Sequence, residues 1–469
     1  MAPATNRGDL IMHRVSATIL AGLLASTAAT AAAAAEPAPG AVAAAVSEAE
    51  LKANITALVG FGTRHSASTT TDPRRGIGAA RRWVEGRFKE FGAKCGNCLQ
   101  IVTPSETVTG PRLPTPTEIV DVLAIQPGTT EPERFIIMSA HVDSRNSDPL
   151  DAKGDAPGAN DDGSGTAAVI EAARVLSRHR FPATIVYAVL SGEEQGLNGG
   201  KLLADFARAH NWTVEAVLNN DIIGNSTGAS GMKDSGHVRV FSEGTKAVEN
   251  AAQANRRRYN GGEVDSPSRN LARFIDALAD HNINGLDVKM IYRTDRFGRG
   301  GDQTRMLEAG YPAVRITEAV EHYDRQHQNV RVEQGRRYGD LIEGVDFAYL
   351  AKVTKLNVAA LTALARAAMP PAVTISGQVS PDTRVSWTPV KGAAGYRVWW
   401  RDTTAPQWQY SRMAPADATS LTLEGVVIDD WFFGVSAVAA DGSESPIAFP
   451  GDAGNFVSNP PFPSDQPRP

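Results

Sequence analysis

Between Ser47 and Ala368 the chain alternates between two hydrophobic periods. Phe135 to Ala140, Ala183 to Leu190 and Val214 to Leu218 are almost wholly apolar runs of strand length, without the in-and-out alternation of a half-exposed strand. Such runs mark strands covered on both faces. Asp162 to Arg178 instead has helical spacing, with Ala168, Ile170, Ala172, Val175 and Leu176 on the buried side. Ser47 to Val59 is a predicted helix, opened by a capping-box pattern of Ser47 and Glu50. Gly78 to Phe91 is a predicted amphipathic helix, and Glu118 to Ile125 a strand. Further along, His237 to Ser242, Val288 to Tyr292 and Pro312 to Thr317 have strand patterns. Asn270 to Asp280 and Gly301 to Ala309 are helical, and Val332 to Ala368 is a long helical region. Strand, helix and strand in repetition predict an α/β fold: a doubly wound, mostly parallel sheet flanked by helices.

The pattern changes at Met369-Pro370-Pro371. From there to about Pro450, β-branched and aromatic residues alternate between turn signals, as in a small all-β sandwich. Trp387 in VSWTPV, Tyr396 in GYRVWW and the run WFFGVSAVAADGSESP make this stretch resemble a fibronectin type III module. Trp431 stands where that family has Tyr, which leaves its corner hydrogen bond open. The expected organisation is a signal peptide over 1–35, a catalytic domain over 36–369, the sandwich over 370–450 and a Pro-rich disordered tail over 451–469. Removing the sandwich is expected to spare hydrolysis of small substrates, provided the two modules share no core.

Charge narrows the function. The formal net charge is −5, with no basic face for nucleic acid. Near the start, Met12-His13-Arg14 precedes an Ala/Leu stretch and small residues before Glu36, the pattern of a secretory signal. The expected product is secreted or periplasmic, with no membrane span once the signal is cleaved. Cys95 and Cys98, the two cysteines of the chain, are expected to form a local disulfide in an exported protein.

The chemistry gathers where apolar strands end. His141 and Asp143 sit two apart just past a strand, so both side chains leave one face. Ala183 to Leu190 runs into Glu193-Glu194, and Val214 to Leu218 into Asp221. In open α/β sheets, ligands bind outside the carboxyl ends of strands. These groups therefore point at one crevice, and a nitrogen and oxygen donor set of this kind suits zinc.

Five separated pieces, AHVDS, GANDDGSG, LSGEEQGLNGG, NNDIIGN and a late His, resemble in order and approximate spacing the exported co-catalytic dizinc aminopeptidases related to bacterial leucyl aminopeptidase. The resemblance implies two Zn²⁺ ions per chain, held by His141, Asp161, Glu194, Asp221 and His327, with Asp161 bridging. It implies Glu193 as general base and Asp143 as the partner of the outer nitrogen of His141. Asp162 competes with Asp161, and His322 with His327. GRGGDQTRMLEAGYPAVRI resembles the segment lining the substrate pocket, which brings in Asp302 and Arg299; Tyr323 is a further candidate for contact with substrate. Peptides are the expected substrates, and the sandwich is expected to bind a surface or polymer. Alternatives on the same scaffold are a single-zinc glutaminyl cyclase, a carboxypeptidase and a non-catalytic binding protein.

Overall fold

The apolar runs become the middle of an eight-stranded sheet. A computed structural model describes residues 37–456; the expected signal peptide and residues 457–469 of the expected tail lie outside them. The strands are β1 (Gln100–Val102), β2 (Val122–Gln126), β3 (Glu131–His141), β4 (Ala183–Leu190), β5 (Thr213–Asn220), β6 (His237–Ser242), β7 (Asp287–Ile291) and β8 (Ala313–Glu318). Their spatial order is β1-β2-β4-β3-β5-β8-β6-β7. The central run β4-β3-β5-β8 is parallel throughout, and β6 pairs with β7 in parallel. The three remaining pairings are antiparallel.

The period of two divides the sheet between two cores. Ile136, Met138 and Ala140 of β3, with Ile185, Tyr187 and Val189 of β4, face α1 (Glu48–Gly60), α2 (Gly76–Lys94), α3 (Gly163–Leu176) and α6 (Phe347–Arg366). The intervening Ile137, Val186, Ala188 and Leu190 pack against Leu203, Ala204 and Ala207 of α4 (Asn198–Ala209). Full burial of each such aliphatic side chain contributes roughly 1.5–3 kcal/mol. After β3 the chain adds β4 on one side, then returns past β3 to place β5 on the other. That reversal opens a crevice at the carboxyl end of β3.

Three elements differ from expectation. The region from Val332 is not α-helical until Phe347: a hairpin of Arg331–Glu333 and Arg336–Tyr338 comes first, turning through Gly335 at φ 76°, and a single 3-10 turn, Ile342–Gly344, follows it. Asp346 then caps α6 by accepting the Tyr349 amide at 3.0 Å. The strand expected over Glu118 to Ile125 is broken at Asp121, a buried carboxylate that accepts the Ser191 amide. Its first part instead pairs in a hairpin, Ser105–Gly110 with Leu113–Val120. The helix Ala251–Asn260 had no apolar stripe to betray it, since none of its residues is buried.

The C-terminal region forms two small antiparallel sheets. One is β9 (Val373–Ser376), β10 (Thr383–Trp387) and β13 (Ser420–Leu423); the other is β11 (Ala393–Asp402) flanked by β12 (Tyr410–Pro415) and β14 (Trp431–Ala439). Val385, Trp387, Tyr396, Val398, Phe433 and Val435 fill the space between them. The Tyr396 hydroxyl accepts the Val390 amide at 2.9 Å. Residues 451–456 are not a disordered tail, because Gly451 donates to the Val373 carbonyl and Phe456 is buried.

These sheets do not stand apart from the rest of the body. Ala368 belongs to their core. Arg401 of β11 forms a two-pronged pair with Asp265, both bonds 2.9 Å, just before α5 (Pro267–Asn282). Arg273 of α5 adds a 2.8 Å bond to the same carboxylate and donates to the Pro406 carbonyl. All three charges are buried.

Candidate metal centre

Three neighbouring strands deliver the site. His141 is the last residue of β3 and pairs with Leu190, the last of β4. The turn after β4 carries Glu193 and Glu194, and Asp221 follows β5 directly. Asp161 comes from the approach to α3, and His327 from the loop after β8, where its backbone lies in the left-handed region at φ 54°. For a residue other than glycine this conformation is uncommon, and it often marks functional loops.

Asp161 stands between the histidines. Its Oδ1 is 3.4 Å from His141 Nε2, and its Oδ2 is 2.9 Å from His327 Nε2. On one side, Asp221 Oδ1 is 3.8 Å from His141 Nε2, and Glu193 offers an oxygen within 4.8 Å of both. On the other, Glu194 Oε1 is 3.0 Å from His327 Nε2. His141 Nε2 is buried without a hydrogen-bond partner, although it is a strong polar atom aimed at the cluster. Buried polar atoms are rarely left so, and a cation between the side chains would satisfy it.

The adjacent carboxylates divide the work. Asp162 turns away: Oδ1 accepts the Gly165 and Ile222 amides, and Oδ2 accepts the His141 amide. It thereby caps α3 and ties the ends of β3 and β5 together. Ile222, at φ 60°, is a strained position for a β-branched residue and is held there by this bond and by two bonds to its carbonyl, from the Glu318 amide and the Thr317 hydroxyl. Asp143 accepts the amides of Glu193 and Glu194 at 3.2 and 3.1 Å, so it sets the position of both glutamates. It meets the outer nitrogen of His141 chiefly through its backbone: Nδ1 lies 3.1 Å from the Asp143 carbonyl oxygen and 3.6 Å from the carboxylate.

Several supporting groups gave no signal, or only a faint one, in the sequence. Arg315 pairs with Asp221 Oδ2 at 2.6 Å, and a charge inside the apolar strand β8 was the one available hint. Arg145 donates to Glu194 Oε2 at 2.9 Å and reaches His327 Nδ1 at 2.6 Å. Asp340 accepts the amides of Asn160 and Asp161 from beneath. Of the pocket residues expected from sequence, Asp302 is buried and accepts the Gly200 amide. Arg299 pairs with Glu321, and Tyr323 is exposed. His322 is not grouped with the ligating atoms, but it lines a small cavity together with Asp161 and Asp340. Cys95 and Cys98 form the expected disulfide, on the far end of α2.

Residues 121–334 match the model of peptidase family M28. A probable zinc metalloprotease of Leptosphaeria maculans is 43% identical over 409 residues, covering 86% of this chain and 94% of the relative. The chain belongs to peptidase family M28. A second probable zinc metalloprotease, from Pyricularia oryzae, is 42% identical and covers 86% of this chain and 82% of its own length. Among solved structures, LapB of Legionella pneumophila superposes with a TM-score of 0.50 at 17% identity, covering 69% of this chain and 73% of that one. That likeness concerns the fold alone. The M28 stretch contains both histidines and every carboxylate of the cluster, but not Asp340 or the C-terminal sheets.

Charge in this M28 site is dense and unevenly balanced. Burial works against ionised Asp161, yet His327 and His141 hold it well below the usual carboxylate range. Asp221 is likewise lowered, with Arg315 overcoming burial. Glu193 goes the other way: burial pushes it well up, against the pull of His141, and Asp221, Glu194 and Asp302 add to the rise. Burial disfavours a charge on His327, but Glu194 and Asp161 outweigh it and raise the ring from 6.5 to about 10. The Arg145 guanidinium on Nδ1 works the other way, since it can only donate and opposes a second ring proton there.

Proposed function

We propose that this M28 chain is an exported aminopeptidase that removes N-terminal residues from peptides with two zinc ions. One observation carries the reading: Asp161 turns one oxygen toward each histidine, at 3.4 and 2.9 Å. Two half-sites sharing one carboxylate are what a pair of ions needs. His141, Asp221 and Asp161 would hold the first ion, and Glu194, His327 and Asp161 the second. Nitrogen and carboxylate donors suit zinc, and the relatives are named as zinc metalloproteases. Bound zinc would supply Lewis acidity, polarising the scissile carbonyl and acidifying water.

The remaining work falls to the chain. Glu193, raised by burial and by its acidic neighbours, is suited to take a proton at its carboxylate and return it to the leaving amine. Asp143 fixes where it stands through the two amide bonds. Arg315 holds the outer oxygen of Asp221 and keeps the inner oxygen aimed at the cluster, while Arg145 is bonded to the outer oxygen of Glu194. Export is supported by the signal-like start and by the Cys95–Cys98 disulfide. The two C-terminal sheets are read as a fibronectin type III module.

Peptides with a free and an acetylated N-terminus separate the readings. An aminopeptidase hydrolyses the free form and spares the blocked one. Equal hydrolysis of both points to a carboxypeptidase, and cyclisation of N-terminal glutamine without hydrolysis to a cyclase.

A further inference from the structure

The two half-sites differ in what faces the far nitrogen of their histidine. Behind His141, Nδ1 meets acceptors, the Asp143 carbonyl at 3.1 Å and its carboxylate at 3.6 Å. That arrangement draws the ring proton to Nδ1 and leaves the Nε2 lone pair free for a cation. Behind His327, Nδ1 meets a donor. Arg145 Nη2 lies 2.6 Å away, its Nε is on Glu194 Oε2 at 2.9 Å, and its Nη1 is on the Asn146 carbonyl at 3.2 Å. A guanidinium has no acceptor, so Nδ1 must be the acceptor and the proton must sit on Nε2. Nε2 is the atom facing Asp161 and Glu194.

We propose that Arg145 is a built-in competitor for the second ion: it holds His327 and Glu194 in place when that half-site is empty, and must release His327 Nδ1 before an ion can use Nε2. The first half-site has no such opponent. Arg315 holds Asp221 as Arg145 holds Glu194, but its contacts are with Asp221 and Asp295, not with a histidine. The side chain of Arg145 is 13% exposed, so water screens its charge little at this range. The ion at Asp161, Glu194 and His327 is therefore the weaker and more exchangeable of the two.

This inference rests on the two-ion reading, and the test separates them. Chelator-washed protein is titrated with zinc against a chromophoric chelator, giving stoichiometry and the affinity of each class. Wild type should bind one ion tightly and a second more weakly. Arg145→Met and Arg145→Gln should each tighten the second class by about ten- to a hundredfold while leaving the first unmoved, the scale on which groups behind a ligand act. A second class that is unchanged or weaker in both variants overturns the role of Arg145 and leaves two ions standing. One ion per chain in all three proteins overturns the two-ion reading, and this inference with it. Wild type alone provides an independent check: in the long-range ¹⁵N spectrum of the metal-free protein, His327 should carry its proton on Nε2, and a proton on Nδ1 contradicts the proposal.

Discussion

Glu193 and Glu194 are chemically identical neighbours made different by their surroundings. Glu194 has Oε2 on Arg145 and Oε1 toward His327, whereas Glu193 reaches toward His141 and Asp221. Glu193→Gln should lower kcat by about 10²- to 10⁴-fold with zinc content unchanged, and retained turnover would remove Glu193 from the role of base. Asp143→Ala strips the acceptor from two buried amides, so unfolding in denaturant should show a loss of about 1–3 kcal/mol, with kcat falling as both glutamates shift. His141, Asp161, Glu193, Glu194 and Asp221 gave a signal in the sequence because each follows an apolar run or sits in a glycine-rich turn, whereas His327 does neither and was suggested by the resemblance alone. Arg145, Arg315 and Asp340 were not singled out. Their partners are distant in sequence, 182 residues in the case of Arg145 and His327.

β4 was legible to the residue because burial on both faces writes an unbroken apolar run, whereas β3 and β5 extend past their apolar runs at both ends. Elements stabilised by polar contacts were not legible. The start of α6 depends on Asp346, which accepts the Tyr349 amide and a 2.6 Å bond from Ser226. Asp346→Ala should cost about 1–2 kcal/mol in thermal or denaturant unfolding without altering zinc content. The segment after β6 carries a pH response away from the cluster. Burial raises Glu243 from 4.5 to about 8 and lowers Lys246 from 10.5 to about 8. Between pH 4.5 and 8 the folded form holds a proton on Glu243 that the unfolded chain releases, so this group's contribution to stability falls as pH rises. Between 8 and 10.5 the unfolded chain holds the extra proton, on Lys246, and stability recovers. The fall in thermal midpoint between pH 4.5 and 8 should therefore be smaller in Glu243→Gln than in wild type; an identical profile in the variant would contradict this assignment.

The C-terminal sheets are joined to the rest of the chain by buried contacts, so the condition on which their removal was expected to spare hydrolysis, that no core be shared, is not met in full. Arg401, Asp265 and Arg273 form one buried ionic group across the boundary, and Lys246 Nζ donates to the Asn455 carbonyl. Arg401→Met leaves Asp265 with half of its compensation, and should destabilise the whole chain by about 3 kcal/mol in a single cooperative transition. Truncation after Ala368 should yield a protein of lowered melting temperature, and a truncated form with full stability would show that the junction is dispensable. The change of period at Met369 marks where the antiparallel sheets begin, but ion pairs between them and the rest of the chain leave no periodic trace. The most direct test of the account is zinc per chain in reconstituted protein, measured by elemental analysis beside hydrolysis of an aminoacyl amide, in wild type and in Asp161→Asn. Two zinc ions with activity in wild type, and loss of one or both with loss of activity in the variant, are predicted. A fully active wild type holding a single zinc, or an Asp161→Asn variant retaining two ions and full turnover, would contradict a centre built around one shared carboxylate.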